Sequence, residues 1–133
     1  MFSLAGINWL AVIVGVVISN ALGFLWYGPL FGKAWAKGLG KKMEDLQGSP
    51  SMYVVTVVAS LVTMVVLAAA VAAFGSSTIV EGAVVGALLW FGIGATQSYV
   101  GATFEGRSMG VWQISALYNL VVFVVMGAVF AAW

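Results

Sequence analysis

Four stretches of this sequence, residues 7–30, 52–74, 79–102 and 111–133, contain no Asp, Glu, Lys or Arg other than Glu81. Crossing a hydrocarbon core about 30 Å thick takes roughly 20 apolar residues as an α-helix. Inside hydrocarbon the backbone amides find no water, so each stretch must complete its own hydrogen-bond ladder. None shows strand-type alternation. The sequence therefore predicts an all-α membrane bundle of four transmembrane helices, forming a single domain over residues 1–133.

Composition closes off the alternatives. Of 133 residues, 63% are hydrophobic and only 7% charged, where a soluble domain carries about a quarter charged residues. Too few polar groups remain to cover a water-facing surface. Five Lys or Arg against four Asp or Glu give a net charge of +1, so no broad basic field exists for nucleic acid. The absence of Cys and His removes disulfides, thiolate metal sites, thiol nucleophiles and the usual general base. No catalytic constellation, metal site or cofactor is expected. The first apolar run follows no basic segment and is too long for an h-region, so a secretory signal peptide is not expected either.

Helix ends are marked in the sequence. Gly28 and Pro29 are expected to close the first span, because proline cannot continue the ladder. Ser49 and Pro50 read as an N-cap with proline at the first helical position. Gly75 suits the left-handed residue that ends the second span. Thr78 and Glu81 form a T-x-x-E capping box, which gives Glu81 a structural role.

Every positive charge falls in two connections: Lys33, Lys37, Lys41 and Lys42 in the first, Arg107 in the third. The positive-inside rule places connections 31–50 and 103–110 in the cytosol and both termini outside. Aromatic residues agree, with Trp9, Phe130 and Trp133 at the outer interface and Trp26, Tyr27, Trp35 and Trp112 as anchors at the inner one. Within residues 31–47, Phe31, Trp35, Leu39 and Met43 recur every fourth position, and Lys33, Lys37 and Lys41 recur on another face. This predicts a short amphipathic interfacial segment between the first two spans, its lysines near anionic lipid headgroups. Gly38 and Gly40 are expected to divide it into two pieces.

Small residues recur at spacing four along the first span (Ala11, Gly15, Ser19, Gly23) and the third (Gly82, Gly86, Gly94, Ser98, Ala102). Such stripes let helix backbones approach closely. They can meet within one chain or between copies, and a bundle of four helices is thin, so a homo-oligomer assembled through them is expected. Side-chain polarity is lopsided. The outer halves are almost purely aliphatic, while the inner halves hold the candidate polar cluster Asn20, Thr63, Gln97, Tyr99, Tyr118 and Asn119. Amides in hydrocarbon cost several kcal/mol unless paired, so Asn20, Gln97 and Asn119 are expected to point inward. They can serve as structural glue between helices or line a pocket open to the cytosol. At its rim, Glu105 and Arg107 can pair across Gly106.

The blocks Asn8-Trp9-Leu10-Ala11, Leu25-Trp26-Tyr27-Gly28-Pro29-Leu30-Phe31-Gly32-Lys33-Ala34-Trp35, Phe104-Glu105-Gly106-Arg107 and Tyr118-Asn119 together resemble a family of small bacterial four-span membrane proteins known as a domain of unknown function. The resemblance covers nearly the whole chain. It implies a bacterial inner-membrane location and the four-helix architecture, and brings no activity, ligand or catalytic residue.

The functional expectation is a non-catalytic membrane protein whose polar cluster binds a small solute or lipid headgroup, or stabilises helix packing. The alternative is a small-solute or ion channel or transporter. Ion coupling generally needs an intramembrane ionisable group, and only Glu81 comes near one. An enzyme would have to rely on Glu105 as a base beside Arg107, and no spacing here matches a hydrolase or metal site.

Overall fold

A computed structural model describes residues 4–46 and 48–133, all of whose regular structure is helical. Residues 1–3 and Gln47 of the expected domain lie outside the described residues. Four apolar helices are long enough to cross a membrane: Trp9–Leu30, Pro50–Ala73, Ile79–Glu105 and Met109–Ala132. Only 22–28% of the most apolar window of each is buried in the bundle. Faces as apolar as those of Val54, Val55, Val58 and Val62 are left exposed, which suits hydrocarbon and would be untenable in water. The chain is a multi-pass, all-α bundle.

The first span opens at Asn8, whose side chain accepts a hydrogen bond from the Ala11 amide at 3.1 Å. Helix α1 (Trp9–Leu25) runs directly into a π turn, Trp26–Leu30. The span ends at Leu30, next to Gly28 and Pro29 as expected, but its last turn is widened instead of broken. Pro29 sits inside the wider turn, and the Phe31 amide bonds back to the Trp26 carbonyl at 2.8 Å. Widening the turn accommodates a residue that lacks an N–H and whose ring would strike the carbonyl one α-turn earlier.

The connection folds in two pieces, α2 (Gly32–Leu39) and a 3-10 turn, Met43–Leu46. Gly40 divides them in the left-handed conformation, at φ 68°. Helix α2 also docks on the bundle, with Ala36 buried and Gly38 packed where a Cβ would meet Val111 at 2.5 Å. Lys33, Lys37, Lys41 and Lys42 are all exposed.

Helix α3 (Pro50–Ala73) is capped by the Ser49 hydroxyl and carries Pro50 in its first turn. Gly75 follows at φ 69°. The capping box forms: the Glu81 amide donates to Thr78 Oγ1 at 3.2 Å, and the Glu81 carboxylate accepts from Thr78 Oγ1 and the Ser77 amide. The third span is α4 (Ile79–Leu89), a second π turn at Trp90–Ala95, and α5 (Thr96–Glu105). It runs past the expected end at residue 102. Helix α6 (Met109–Ala132) begins two residues earlier than expected, because Ser108 caps it.

Helices α4 and α6 make the most extensive contact, and it is backbone on backbone. A Cβ on Gly82 would overlap the Gly127 carbonyl, and one on Gly86 would overlap the Phe123 carbonyl. The first-span stripe is also used inside the chain. Gly15 leaves room for the ends of Met64 and Met126, and Gly23 faces the Tyr118 hydroxyl. The stripes expected to join copies are thus largely consumed within one chain, since a helix in lipid gains most where its backbone can be approached. Gly94 and Ser98 are the exceptions: both are exposed and Ala95 is buried beside them, whereas Ala102 is buried as the stripe predicts.

Gly86→Ala is expected to lower stability by about 1–3 kcal/mol, the usual penalty of overpacking. Gly92→Ala, with open space around it, is expected to stay within about 0.5 kcal/mol of the parent. Melting temperatures of the two variants in one detergent check the contrast, and equal values would refute the backbone contact.

Candidate functional site

Helix α3 is packed unevenly along its length. Met64, Leu67, Ala68, Ala69 and Val71 in its second half are buried, whereas residues 51–59 are exposed. The bulged third span diverges from α6 at Trp90. Between these two departures lies a half-open cavity of about 330 Å³. All four spans line it: Ser19 and Asn20 from α1, Thr56, Ser60 and Thr63 from α3, Trp90, Gly94 and Ser98 from the third span, Tyr118 and Asn119 from α6. Ala59, Met64, Ala116, Val122 and Phe123 complete the wall. Asn20, Ser60, Thr63 and Asn119 lie near the middle of their spans, so the cavity sits deep within the bundle. No charged side chain lines it.

The hydrogen bonds explain why these polar groups are tolerated. Thr56, Ser60, Thr63 and Ser98 each donate to a carbonyl of their own helix, at 2.9–3.2 Å, which spares them an unmet donor. Asn20 donates through Nδ2 to the Val16 carbonyl at 2.8 Å and to Ser60 Oγ at 3.0 Å. The second bond joins α1 to α3. Tyr118 donates to the Ser19 carbonyl across to α1. Two indoles pin α6 from outside: Trp26 Nε1 donates to the Ile114 carbonyl at 2.8 Å, and Trp90 Nε1 to the Ala116 carbonyl at 2.7 Å. Both tryptophans lie in π turns, so each widened turn aims an indole at the fourth span. Asn119 differs from the rest. It is exposed, lines the cavity and makes no hydrogen bond among the described residues.

Of the candidate cluster, Asn20, Thr63, Tyr118 and Asn119 come together around this cavity, and Gln97 and Tyr99 do not. Gln97 is exposed, and Tyr99 packs its ring edge-on against Trp112 at 5.1 Å. The third span turns Ser98, not Gln97, toward α6, where Ser98 Oγ accepts from Trp112 Nε1 at 3.0 Å. Glu105 and Arg107 pair across Gly106, with Arg107 Nε donating to Glu105 Oε2 at 2.8 Å. Both are half exposed and neither lines the cavity; such a pair is worth at most about 1 kcal/mol. Among the anchors, Tyr27 packs against Trp35 at 4.7 Å and Tyr118 at 5.6 Å, and Trp26 against Phe31 at 4.7 Å. They form one aromatic cluster beneath the cavity wall.

Two lining residues, Trp90 and Gly94, escape a reading by helical spacing. The signal was the run Trp90-Phe91-Gly92-Ile93-Gly94, where two glycines after an indole permit a widened turn. Among the described residues no three Asp, Glu, Cys or His gather in one place. The cavity therefore offers only neutral donors and acceptors.

Residues 10–131 match the family described as "Protein of unknown function (DUF1761)". The chain belongs to this family. The DUF1761 match takes in every residue of the cavity wall. No curated protein and no solved structure matches the chain.

The Asn20–Ser60 bond can be weighed by a double-mutant cycle of Asn20→Ala and Ser60→Ala. A coupling near 0.6 kcal/mol is expected, the average for inter-helix hydrogen bonds in bilayers. Additive losses in chemical unfolding from detergent would show that the bond does not form.

Proposed function

We propose that this protein is a non-catalytic, multi-pass protein of the bacterial inner membrane that holds a small uncharged solute, or the polar end of a lipid, in the cavity between its spans. One observation carries the reading: side chains from all four spans converge on a cavity that the bundle leaves open, and its largely apolar wall carries the polar groups of Asn20, Ser60, Thr63, Tyr118 and Asn119. A cluster serving as glue alone would be closed by its own bonds. The Asn20–Ser60 pair behaves that way, but Asn119 stays open. The wall lacks charge, so a neutral guest fits and an ion would meet no counter-charge. Conduction is disfavoured, because Met64 in the cavity wall and Met126, Leu67, Val12 and Val71 beyond it are almost completely buried.

The same proposal orients the chain. All lysines of the first connection and Arg107 of the third lie at one end of the bundle, so connections 31–50 and 103–110 face the cytosol and both termini face out. The exposed Lys33, Lys37 and Lys41 then meet anionic lipid headgroups. The apolar surface left outside the bundle is shared between lipid and further copies of the chain, a homo-oligomer.

Two experiments test this. The chain has no cysteine, so Ser76→Cys is expected to react with a membrane-impermeant maleimide on intact bacteria, and Lys41→Cys only after lysis. The reverse pattern would invert the topology. A thermal-shift screen of neutral polyols, amides and lipids is expected to find a compound that raises the melting temperature. Ala59→Phe, which fills the cavity wall, is expected to lose that shift. A screen with no stabilising compound would count against binding.

A further inference from the structure

The free hydrogen-bonding groups of the cavity specify more than neutrality. Asn20 uses both amide hydrogens, one on the Val16 carbonyl and one on Ser60 Oγ. Its orientation is fixed by chemistry, since a flipped amide would set Oδ1 against the Val16 carbonyl oxygen. Asn20 Oδ1 is therefore a committed acceptor that receives no hydrogen bond among the described residues. Thr56 and Thr63 also give their hydrogens to their own helix and keep only lone pairs for a guest. The indole N–H of Trp90 and the hydroxyl of Tyr118 are already spent on backbone carbonyls. Asn119 alone has free N–H groups, together with a free carbonyl. The wall is thus rich in acceptors, with one side chain able to donate.

A guest that only accepts, such as a ketone or ester, would satisfy Asn119 and leave Asn20 Oδ1 unmet. An ammonium would satisfy the acceptors but find no carboxylate in the wall. A hydroxyl both donates and accepts, and it carries no charge. The surroundings of the cavity say where such a group comes from. It lies at mid-span, and the surfaces flanking it, Val55, Val62 and Phe91, are exposed and apolar. Its opening therefore lies at hydrocarbon depth, out of reach of a guest that stays in water.

We propose that the cavity receives the hydroxyl group of a membrane-resident alcohol, whose O–H donates to Asn20 Oδ1 and whose oxygen accepts from Asn119, with the apolar tail left along the outer face of α3. This rests on the binding role proposed above and names the class of guest. The full chain in phosphatidylcholine nanodiscs is to be titrated with oleyl alcohol, with its methyl ether, and with glycerol, reading the melting shift and retention by native mass spectrometry. Oleyl alcohol is expected to bind, and the ether, which lacks the donor, about tenfold more weakly. Asn119→Leu is expected to weaken the alcohol about three- to tenfold and to leave the melting temperature of the empty protein no lower than the parent's, since the Asn119 side chain bonds to none of the described residues. That second readout stays informative if Asn20→Leu fails to fold. Equal binding of alcohol and ether overturns the hydroxyl assignment and leaves a neutral-solute cavity standing. Glycerol binding in preference to oleyl alcohol overturns the membrane origin. Binding of none of the three overturns both this assignment and the role it rests on.

Discussion

The contact of α4 with α6 at Gly82, Gly86 and Gly127 governs the rest of the bundle. Lipid tails are as apolar as leucine, so helices in a bilayer gain little by hiding aliphatic side chains from them. They gain by bringing backbones together. Here the backbones touch, and the next residue on the same line after Gly82 and Gly86 is Trp90. An indole cannot enter a gap sized for a hydrogen atom. The third span answers at that residue with a π turn, which swings the ring aside until Nε1 reaches the Ala116 carbonyl. The two helices part at this level, and the space between them becomes one wall of the cavity. Close packing at one end of the helix pair and a void at the other share a single cause.

The polar residues divide into two kinds once their bonds are followed. Asn20, Ser60, Tyr118 and Ser98 tie one helix to another or accept such a tie, and Thr56 and Thr63 answer their own backbone. These are the groups a bundle needs when no water reaches its interior. Asn119 belongs to the second kind. A carboxamide facing hydrocarbon with nothing bonded costs several kcal/mol, and a leucine there would carry no such cost. The cluster thus combines glue and site, with Asn20 serving both.

What depends on neighbours in sequence was legible from it. The apolar runs give the four spans, Ser49 caps the helix it precedes, Gly75 turns left-handed, and Thr78 and Glu81 close their box. The end of the third span at Glu105 lay beyond the apolar run, because a left-handed Gly106 and not hydropathy stops the helix. What depends on phase was not legible. A four-residue repeat carried through Trp90 places Gly94 and Ser98 on the packed face with Gly82 and Gly86, yet both stand exposed at the cavity, and Gln97, expected inside for its amide, lies outside it. Pro29 marked where the first span ends but not how, since the last turn widens instead of breaking. The stripes were legible as surfaces for close approach, yet spacing does not name the partner; only the positions of Met64, Met126 and Tyr118 show that α3 and α6 fill them.

The glycine that makes the first span smooth also decides that the cavity ends where it does. Without a Cβ at residue 15, the thioether ends of Met64 and Met126 meet over the α1 backbone from two sides. Methionine is the apolar side chain best able to fill such an irregular gap. Both are almost completely buried, together with Val12, Leu67 and Val71. This layer crosses the bundle just beyond Thr63 and Val122, the last residues of the wall on their helices in that direction apart from Met64 and Phe123 themselves. A path through the protein would need both thioethers displaced at once, with nothing polar behind them to solvate what passed. The polar half has room and unmet hydrogen bonds, while the aliphatic half has neither, and a chamber with one sealed end holds its guest where a conduit would release it.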